Sequence, residues 1–353
     1  MTKLILKLIF LLGIPLALGI CTYLWLDDAF LQARDPSATE QVLVEIQPGS
    51  TIKTIGKQLE SLRLVNNWWS LYVIARIKRN DTKITAGEFE LSAAMSPKEI
   101  LDKLASGDVF KRTVTFKEGM SIWDLGEIIE HAGLLSRVEF NAKLTDKSSL
   151  VRAGISADSF EGYLFPETYF FSRPITAEKI IWSFLEEGEK NWPPEYSTRS
   201  EIMGFSRHET LTLAAMIEKE SGNVYEQPII SSVFHNRLRL GMRLQSDPTV
   251  VYGIPNFSGK LRKSDLEGDH PYNTYTRFGL PPGPIANPGA TAIKAALYPD
   301  ETEFLFFVAD GKGGHVFSTT LREHNKAVHD YRETLRAQEA ATALQPNVDV
   351  VIE

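Results

Sequence analysis

An apolar segment near the N-terminus limits what this chain can be. Residues 8–26 read LIFLLGIPLALGICTYLWL, without a charged side chain. A run of about 19 apolar residues is long enough to cross the hydrocarbon core of a bilayer as a helix. Lys3 and Lys7 precede it and two aspartates follow, so the positive-inside rule keeps the N-terminus in the cytoplasm. We therefore predict a single-pass membrane protein, with a cytoplasmic stub and transmembrane helix over residues 1–28 and its remaining residues outside the cytoplasm.

A cleaved signal peptide is the main alternative to this anchor. The apolar run is longer than the roughly 7–15 residues of a signal-peptide core, and no small-residue cleavage site follows it directly. A lipoprotein signal at Cys21 fits less well, because the bulky Ile20 stands where a small residue is expected. The pattern favours the uncleaved anchor.

Composition excludes several other classes. A chain of 353 residues is long enough for two or three domains. The formal net charge of −7 argues against nucleic acid as the main partner, since no basic surplus is present. Cys21 is the single cysteine, so an internal disulfide and a cysteine-based zinc site are both excluded. His324 and His329 are poorly spaced for one helix face, and we predict neither a metal nor a cofactor.

The first part outside the membrane has the pattern of a small α+β module. Turn residues and hydroxyl N-caps separate short strands from amphipathic helices. The predicted elements are a linker over 29–41, a strand over Val42–Ile46, a helix after the turn Pro48–Thr51, a strand over Ala86–Leu91 and a helix from Ser96 to Gly107; together they form a module over 42–112.

The opening pattern of this module occurs a second time. Gly49, Ile52, Ile55, Gly56 and Leu59 match Gly119, Ile122, Leu125, Gly126 and Ile129 at one constant offset. Two strand–turn–helix units of this kind resemble LysM-type glycan-binding modules. Chance is the alternative, because β-turn–helix starts are common. The second unit is expected over 113–160 and leads into the next region.

From Glu161 onward the sequence is rich in aromatic residues, proline and glycine. We predict a third, mixed α+β region over 161–338, followed by a flexible tail over 339–353. Its predicted parts are a helix-rich stretch, loops over Gln245–Gly289, strands Phe304–Ala309 and His315–Ser318 joined by the glycine-rich loop Asp310–Gly314, and a last helix over Leu321–Leu335.

One predicted helix carries a candidate catalytic acid. The segment Leu211–Gly222 is apolar almost all round, which is typical of a buried helix, with Gly222 as its C-terminal glycine. Glu220 falls on the stripe of Leu213, Met216 and Ile217, and desolvation there would raise its pKa. A raised pKa is what a general acid needs near neutral pH. The alternative is that Glu218 and Glu220 are ordinary solvent-exposed residues of the last helical turn, without a catalytic role.

The loops after this helix are rich in Asn, Gln, Tyr and Thr on turns that proline stiffens. Such a mixture suits hydrogen bonds to sugar hydroxyl groups, and a loop region this long inside a domain is usually functional. The alternative is that these are only turn residues. The chain has no G-x-S-x-G elbow, P-loop, G-x-G-x-x-G or H-E-x-x-H motif, so no other common chemistry competes.

Six motifs follow one another along the chain: Ile217–Ser221 (IEKES), Asn236–Leu238 (NRL), Leu244–Thr249 (LQSDPT), Tyr272–Tyr275 (YNTY), Gly279–Gly283 (GLPPG) and Ala309–His315 (ADGKGGH). In combination and order they are specific. They resemble the YceG-like (MltG) endolytic murein transglycosylases, and the resemblance covers nearly the whole chain.

The resemblance implies cleavage of the β-1,4 bond between N-acetylmuramic acid and N-acetylglucosamine inside a glycan strand, giving a 1,6-anhydromuramoyl end. It places the family's catalytic glutamate on Glu220, as acid and base, with Glu218 as the alternative. It implies a mixed α+β catalytic domain with this glutamate at a buried helix C-terminus. Sugar contacts are expected from Gln245, Asp247, Asn273, Tyr275, Asn287 and His315, with Glu167, Glu218 and Asn236 supporting them from behind.

Two other functions remain open at this point. A hydrolytic muramidase would use Glu220 as acid and either Asp247 or Glu218 as base. A non-catalytic, membrane-anchored glycan-binding protein would use only the repeated units. The resemblance implies glycan strands and peptidoglycan synthases as partners, and a place in the inner (cytoplasmic) membrane with the catalytic domain in the periplasm or cell-wall space.

Overall fold

The computed structural model describes residues 13–30, 32–78, 84–255, 257 and 259–343. The chain divides into two compact units. The first comprises the residues up to Val114 together with Phe170–Thr176, and the second comprises Thr115–Tyr169 and the residues from Ala177 onward. Helices and two-stranded sheets are mixed along the chain, which confirms the predicted α+β class.

Helix α1 (Ile14–Phe30) forms most of the predicted apolar span. It has 17 residues, and among the described residues no helix is both long enough and apolar enough to cross a membrane. The predicted span begins at Leu8, and its residues 8–12 lie outside the described part of the chain.

The first unit is built on a short antiparallel ribbon. Strand β1 (Val42–Ile46) pairs with β2 (Gly87–Leu91), with Val42 opposite Leu91. Helices α2 (Ile52–Ser61) and α3 (Trp68–Lys78) lie between these strands in sequence, and α4 (Pro97–Ser106) follows. The predicted helix starts are confirmed, because Thr51 accepts a hydrogen bond from the Thr54 N–H and Ser96 forms a capping box with Glu99.

A second strand–turn–helix segment follows, in the same order as β1 and α2 of the first. Strand β3 (Arg112–Phe116) is followed by α5, α6, α7 and β4, and β3 pairs with β4. The equivalent glycines are needed for close packing: a Cβ on Gly56 would lie 2.6 Å from the Trp68 carbonyl oxygen, and one on Gly126 would overlap Asn141. The other bounds are α5 (Ile122–His131), α6 (Arg137–Leu144), α7 (Lys147–Arg152) and β4 (Glu167–Phe171).

The rest of the second unit packs around one buried helix, α10 (Arg207–Glu220). Its core side chains lie against those of α11 and α14. Strands β5 and β6 form an antiparallel hairpin in which Ala309 pairs with His315. The elements are α8 (Ala177–Lys190), α9 (Pro194–Ile202), α11 (Gln227–Arg239), α12 (Asp247–Gly253), α13 (Lys263–Glu267), α14 (Ala290–Leu297), β5 (Phe306–Ala309), β6 (His315–Ser318) and α15 (Leu321–Ala343).

Several predicted bounds are wrong. Helix α10 ends at Glu220, and Gly222 does not have the positive φ of a C-terminal glycine. Ser221 instead leaves the helix in an extended conformation, with φ −143° and ψ 125°. Strand β5 begins at Phe306 because the Phe304 carbonyl accepts a hydrogen bond from the Asn236 side chain.

The last helix is also longer than predicted. Helix α15 continues to Ala343, well past Leu335, so the first residues of the predicted flexible tail are helical. Residues 344–353 of that tail lie outside the described residues.

Candidate active site

Helix α10 presents Glu220 as its last residue. Ser206 and Glu209 form a capping box that fixes the start of the helix. Leu213, Met216 and Ile217, the stripe expected to lie beside the glutamate, are all 0% exposed. A helix anchored at its first turn and buried along its length holds its last side chain in one place.

The carboxyl group of Glu220 accepts a hydrogen bond from a serine hydroxyl group. Ser246 Oγ donates a hydrogen bond to Glu220 Oε1 over 2.5 Å. Burial is the main reason that the pKa of Glu220 is raised to about 7; the charge of Asp247 acts in the same direction, and the Ser246 hydroxyl acts against it. The carboxyl group can therefore hold a proton near neutral pH and give it up readily.

The turn that carries Ser246 is fixed by backbone hydrogen bonds. The Gln245 N–H donates to the Thr274 carbonyl over 3.1 Å, and the Ser246 N–H donates to Thr274 Oγ1 over 2.9 Å. Gln245 has φ 51°, a conformation that L residues rarely adopt, and its side chain is exposed. Strain of this kind concentrates at functional sites. Sequence reasoning named Gln245 and Asp247 but missed Ser246 between them and Thr274 behind them.

Asp247 and Tyr275 form a pair beside Glu220. The Tyr275 hydroxyl donates to Asp247 Oδ1 over 2.6 Å, and the charge of Asp247 acts on Glu220. Burial is the main cause of the raised pKa of Tyr275, so its hydroxyl remains a donor at neutral pH. The structure thus places Asp247 and Tyr275 beside Glu220, and Gln245 one residue before Ser246.

His315 also belongs to this group. Its Nδ1 lies 2.7 Å from Glu226 Oε2, and its charge, when the ring is protonated, lowers the pKa of Glu220. Glu226 was not predicted as a site residue; the only sequence signal is its place just after the IEKES motif.

Arg237 lies in the NRL motif but is not among the site residues predicted from the sequence. It is 7% exposed, and its guanidinium donates to the carbonyl groups of Leu244 and Leu305, each over 2.6 Å. Its charge also lowers the pKa of Glu220. Because Leu244 immediately precedes Gln245, Arg237 holds the start of the turn that brings Ser246 to the glutamate.

Asn273 and Asn287 do not face a ligand, contrary to expectation. Both are 0% exposed. Asn273 Nδ2 donates to the carbonyl groups of Leu266 and Gly268, and its Oδ1 accepts from the Tyr275 N–H over 2.8 Å. A buried amide with all its groups paired shapes a loop, so Asn273 positions Tyr275 and does not bind sugar itself.

Asn287 is paired in the same way. Its Oδ1 accepts from the N–H groups of Gly162 and Leu164, and its Nδ2 donates to the Met120 carbonyl over 3.1 Å and to Glu161 Oε1 over 2.7 Å. It therefore ties three segments of the second unit together.

Glu161 is a buried carboxyl group that sequence reasoning did not identify. It is 2% exposed, and burial raises its pKa to about 8. The Ile122 N–H, the Tyr252 hydroxyl and Asn287 Nδ2 all lie within hydrogen-bond distance and pull that pKa down. The pattern of apolar residues gave no signal for it, because its partners are far away in sequence.

Glu218 faces a different neighbour from Glu220. Its Oε2 accepts a hydrogen bond from the Gly289 N–H over 3.0 Å, at the N-terminus of α14. Burial raises the pKa of Glu218. A carboxylate at a helix N-terminus is stabilising, so this contact supports the packing of α14 against α10.

Two residues expected to support the site do so only remotely or not at all. Glu167 is exposed at the start of β4 and accepts from its neighbour, the Thr168 N–H. Its predicted role is wrong; Glu161 is the buried carboxyl group of that region. Asn236 Nδ2 donates to the carbonyl groups of Thr302 and Phe304, so it anchors the segment before β5.

Within the described residues, no cluster of His, Cys, Asp and Glu could hold a metal ion.

Comparison with known proteins places this geometry in a family. The model of the YceG-like family matches residues 44–330. The chain is 32% identical over 318 residues to the endolytic murein transglycosylase of Bacillus subtilis, a match that covers 86% of this chain and 88% of that protein. It is 29% identical to the endolytic murein transglycosylase of Streptococcus pneumoniae D39 over 84% of this chain and 59% of that protein.

A solved structure agrees. A yceG-like protein from Listeria monocytogenes superposes with a TM-score of 0.57 at 34% identity, covering 81% of this chain and 99% of that one. With the family match, the Bacillus relative and the shared fold in hand, this chain belongs to the YceG-like family.

Proposed function

We propose that this protein is an endolytic murein transglycosylase in which Glu220 is both the acid and the base. The observation that carries the proposal is the partly buried Glu220, with its pKa raised to about 7 and its Oε1 bonded to Ser246. The endolytic murein transglycosylases of Bacillus and Streptococcus are relatives of this chain, and their names give the substrate class.

The chemistry needs one carboxyl group. Protonated Glu220 gives its proton to the oxygen that leaves C1 of the N-acetylmuramic acid residue, and the C1–O bond breaks. The C6 hydroxyl oxygen of the same sugar then bonds to C1, and its proton returns to Glu220. No water is consumed, and the product has a 1,6-anhydro end. Asp247, Tyr275 and His315 lie beside the glutamate and, together with Gln245, would contact the sugars.

We further propose that the two repeated units are LysM-like and that the N-terminal segment anchors the protein. The same strand–helix–helix order occurs in both units. The side chains of Leu16, Leu18 and Leu24 on α1 are between 59% and 66% exposed, an apolar surface that a membrane would cover. The protein would then be held in the inner (cytoplasmic) membrane, with its catalytic unit in the periplasm or cell-wall space beside peptidoglycan synthases.

Digestion of purified glycan strands tests the proposed function. The wild-type chain should release internal fragments with anhydro ends, identified by mass spectrometry. Glu220→Gln should lower the rate at least about 100-fold, the usual contribution of general acid–base catalysis. Glu218→Gln is the matched control two residues away and should retain cleavage. Reducing ends would show a hydrolase, with Asp247 as the second carboxyl group, and loss of cleavage in Glu218→Gln alone would move the acid to Glu218.

A further inference from the structure

The hairpin loop Asp310–Gly314 has a fixed shape that the site described so far does not explain. Asp310 Oδ1 accepts hydrogen bonds from the Lys312 N–H over 2.7 Å and the Gly314 N–H over 3.0 Å. Gly311 and Gly313 have φ values of 74° and 96°, which favour glycine. The loop therefore delivers the next residue, His315, to a defined place at the start of β6.

There, His315 contacts the carboxylate of Glu226. Glu226 immediately precedes α11, yet its side chain makes no capping hydrogen bond with its own helix. Instead, Oε1 accepts from the His315 backbone N–H over 3.1 Å, and Oε2 lies 2.7 Å from His315 Nδ1. A Cβ on Gly314 would lie 2.8 Å from Glu226 Oε1, so the glycine makes room for the carboxylate.

This pairing determines which ring nitrogen carries the hydrogen. An ionised carboxylate only accepts hydrogen bonds, so Nδ1 must be the donor. In the neutral ring, Nε2 then carries the lone pair. Within the described part of the chain Nε2 has no hydrogen-bond partner, although the ring is only 15% exposed and packs edge-on against Phe307 at 5.5 Å. Glu226 therefore holds the ring at Nδ1, and Nε2 can accept a hydrogen bond from a ligand.

We propose that Glu226 is a positioning residue of the active site: it holds His315 as the Nδ1–H tautomer, so that Nε2 accepts a hydrogen bond from a hydroxyl group of the bound glycan. The proposal rests on the proposed function and names the kind of substrate group that His315 meets. It also accounts for the glycine-rich loop, whose shape serves to bring His315 to the carboxylate.

The test is Glu226→Gln in the full chain. A glutamine can donate to Nδ1, which releases the ring into the Nε2–H tautomer. We expect kcat/KM for glycan strands to fall roughly 2- to 10-fold, as for loss of a hydrogen bond between two neutral groups. Nitrogen-15 NMR of the His315 ring should show Nδ1–H in the wild type and Nε2–H in the variant. Glu201→Gln, which replaces an exposed glutamate on α9, is the control and should change neither.

Gly314→Ala gives a second route if Glu226→Gln does not fold. Its Cβ should push the carboxylate away from the ring and alter the tautomer in the same direction. The proposal is overturned if wild-type His315 carries its hydrogen on Nε2, or if Glu226→Gln cleaves as fast as the control. If the wild type forms no anhydro ends but shows the Nδ1–H tautomer, the proposed function fails while the Glu226–His315 assignment stands.

Discussion

Removal of the Ser246 hydroxyl should move the pH dependence of cleavage to higher pH. Ser246 Oγ is the one side-chain donor to Glu220 within the described residues, and it lowers the pKa of that carboxyl group. A donor stabilises the ionised form, so Ser246→Ala should make the proton harder to remove. In the variant, the Glu220 carboxyl group should therefore stay protonated to a higher pH.

The size of the shift follows from the strength of the lost hydrogen bond. A hydrogen bond to a charged group contributes about 1.5–3 kcal/mol. One pKa unit corresponds to about 1.4 kcal/mol, so complete loss would raise the pKa by about one to two units. Glu220 is partly accessible to solvent, and a water molecule can take the place of the hydroxyl. We therefore expect the lower end, a shift of about one unit from the wild-type value.

The assay is the pH profile of kcat/KM for cleavage of glycan strands, which reports groups of the free enzyme. In the wild type the rate should fall as the pH rises through about 7, because Glu220 loses its proton there. In Ser246→Ala the fall should occur about one unit higher. Ser232→Ala removes a buried serine that bonds Thr302 instead and serves as the control. An unchanged profile, or a fall at lower pH, would refute the reasoning.

Three further outcomes follow from the same contacts. Asp247→Asn removes a charge that raises the pKa of Glu220, so the fall in kcat/KM should move to lower pH, and a shift upward would contradict this. The pKa of Glu161 is about 8 in the folded protein, against an ordinary value of 4.5, so the unfolding free energy should fall as the pH rises from 4.5 to 8, by up to about 1.4 kcal/mol per pH unit. Urea titrations at several pH values should show this dependence in the wild type and not in Glu161→Gln. The same pH dependence in both would exclude a neutral carboxyl group at Glu161. Gln245→Gly removes the backbone strain of a positive φ and should raise the unfolding free energy, measured by urea titration, by up to about 1 kcal/mol. The same variant should cleave glycan strands more slowly, and unchanged cleavage would show that Gln245 does not contact the sugars.

The elements that local sequence predicts well are those with local causes. The apolar stripe before Glu220 lies within one helix, so the position of this glutamate follows from residues close together in sequence. Strand β6 was predicted with its bounds, because a glycine-rich loop separates it from β5. In each case the sequence pattern and the element that it predicts lie within about 20 residues.

Features that depend on distant partners gave no such signal. Asn287 and Glu161 are joined by a hydrogen bond across 126 residues, and neither an amide nor a carboxyl group reveals from its neighbours that it will be buried. The family resemblance and the polar loop suggest that Asn287 contacts sugar, because a polar residue in a loop is normally exposed. The same holds for Glu226, whose partner His315 is 89 residues away.

The choice between Glu218 and Glu220 is a question of helix geometry. Residues two apart on an α-helix point about 200° away from each other, so the two carboxyl groups cannot serve the same neighbour. Glu218 turns to the N-terminus of α14 and accepts from Gly289, where its negative charge stabilises that helix. Glu220 turns to Ser246, whose donor can stabilise the carboxylate that forms after proton transfer. On our proposal the two glutamates therefore have different roles: Glu218 supports the helix that packs behind the site, and Glu220 carries the chemistry.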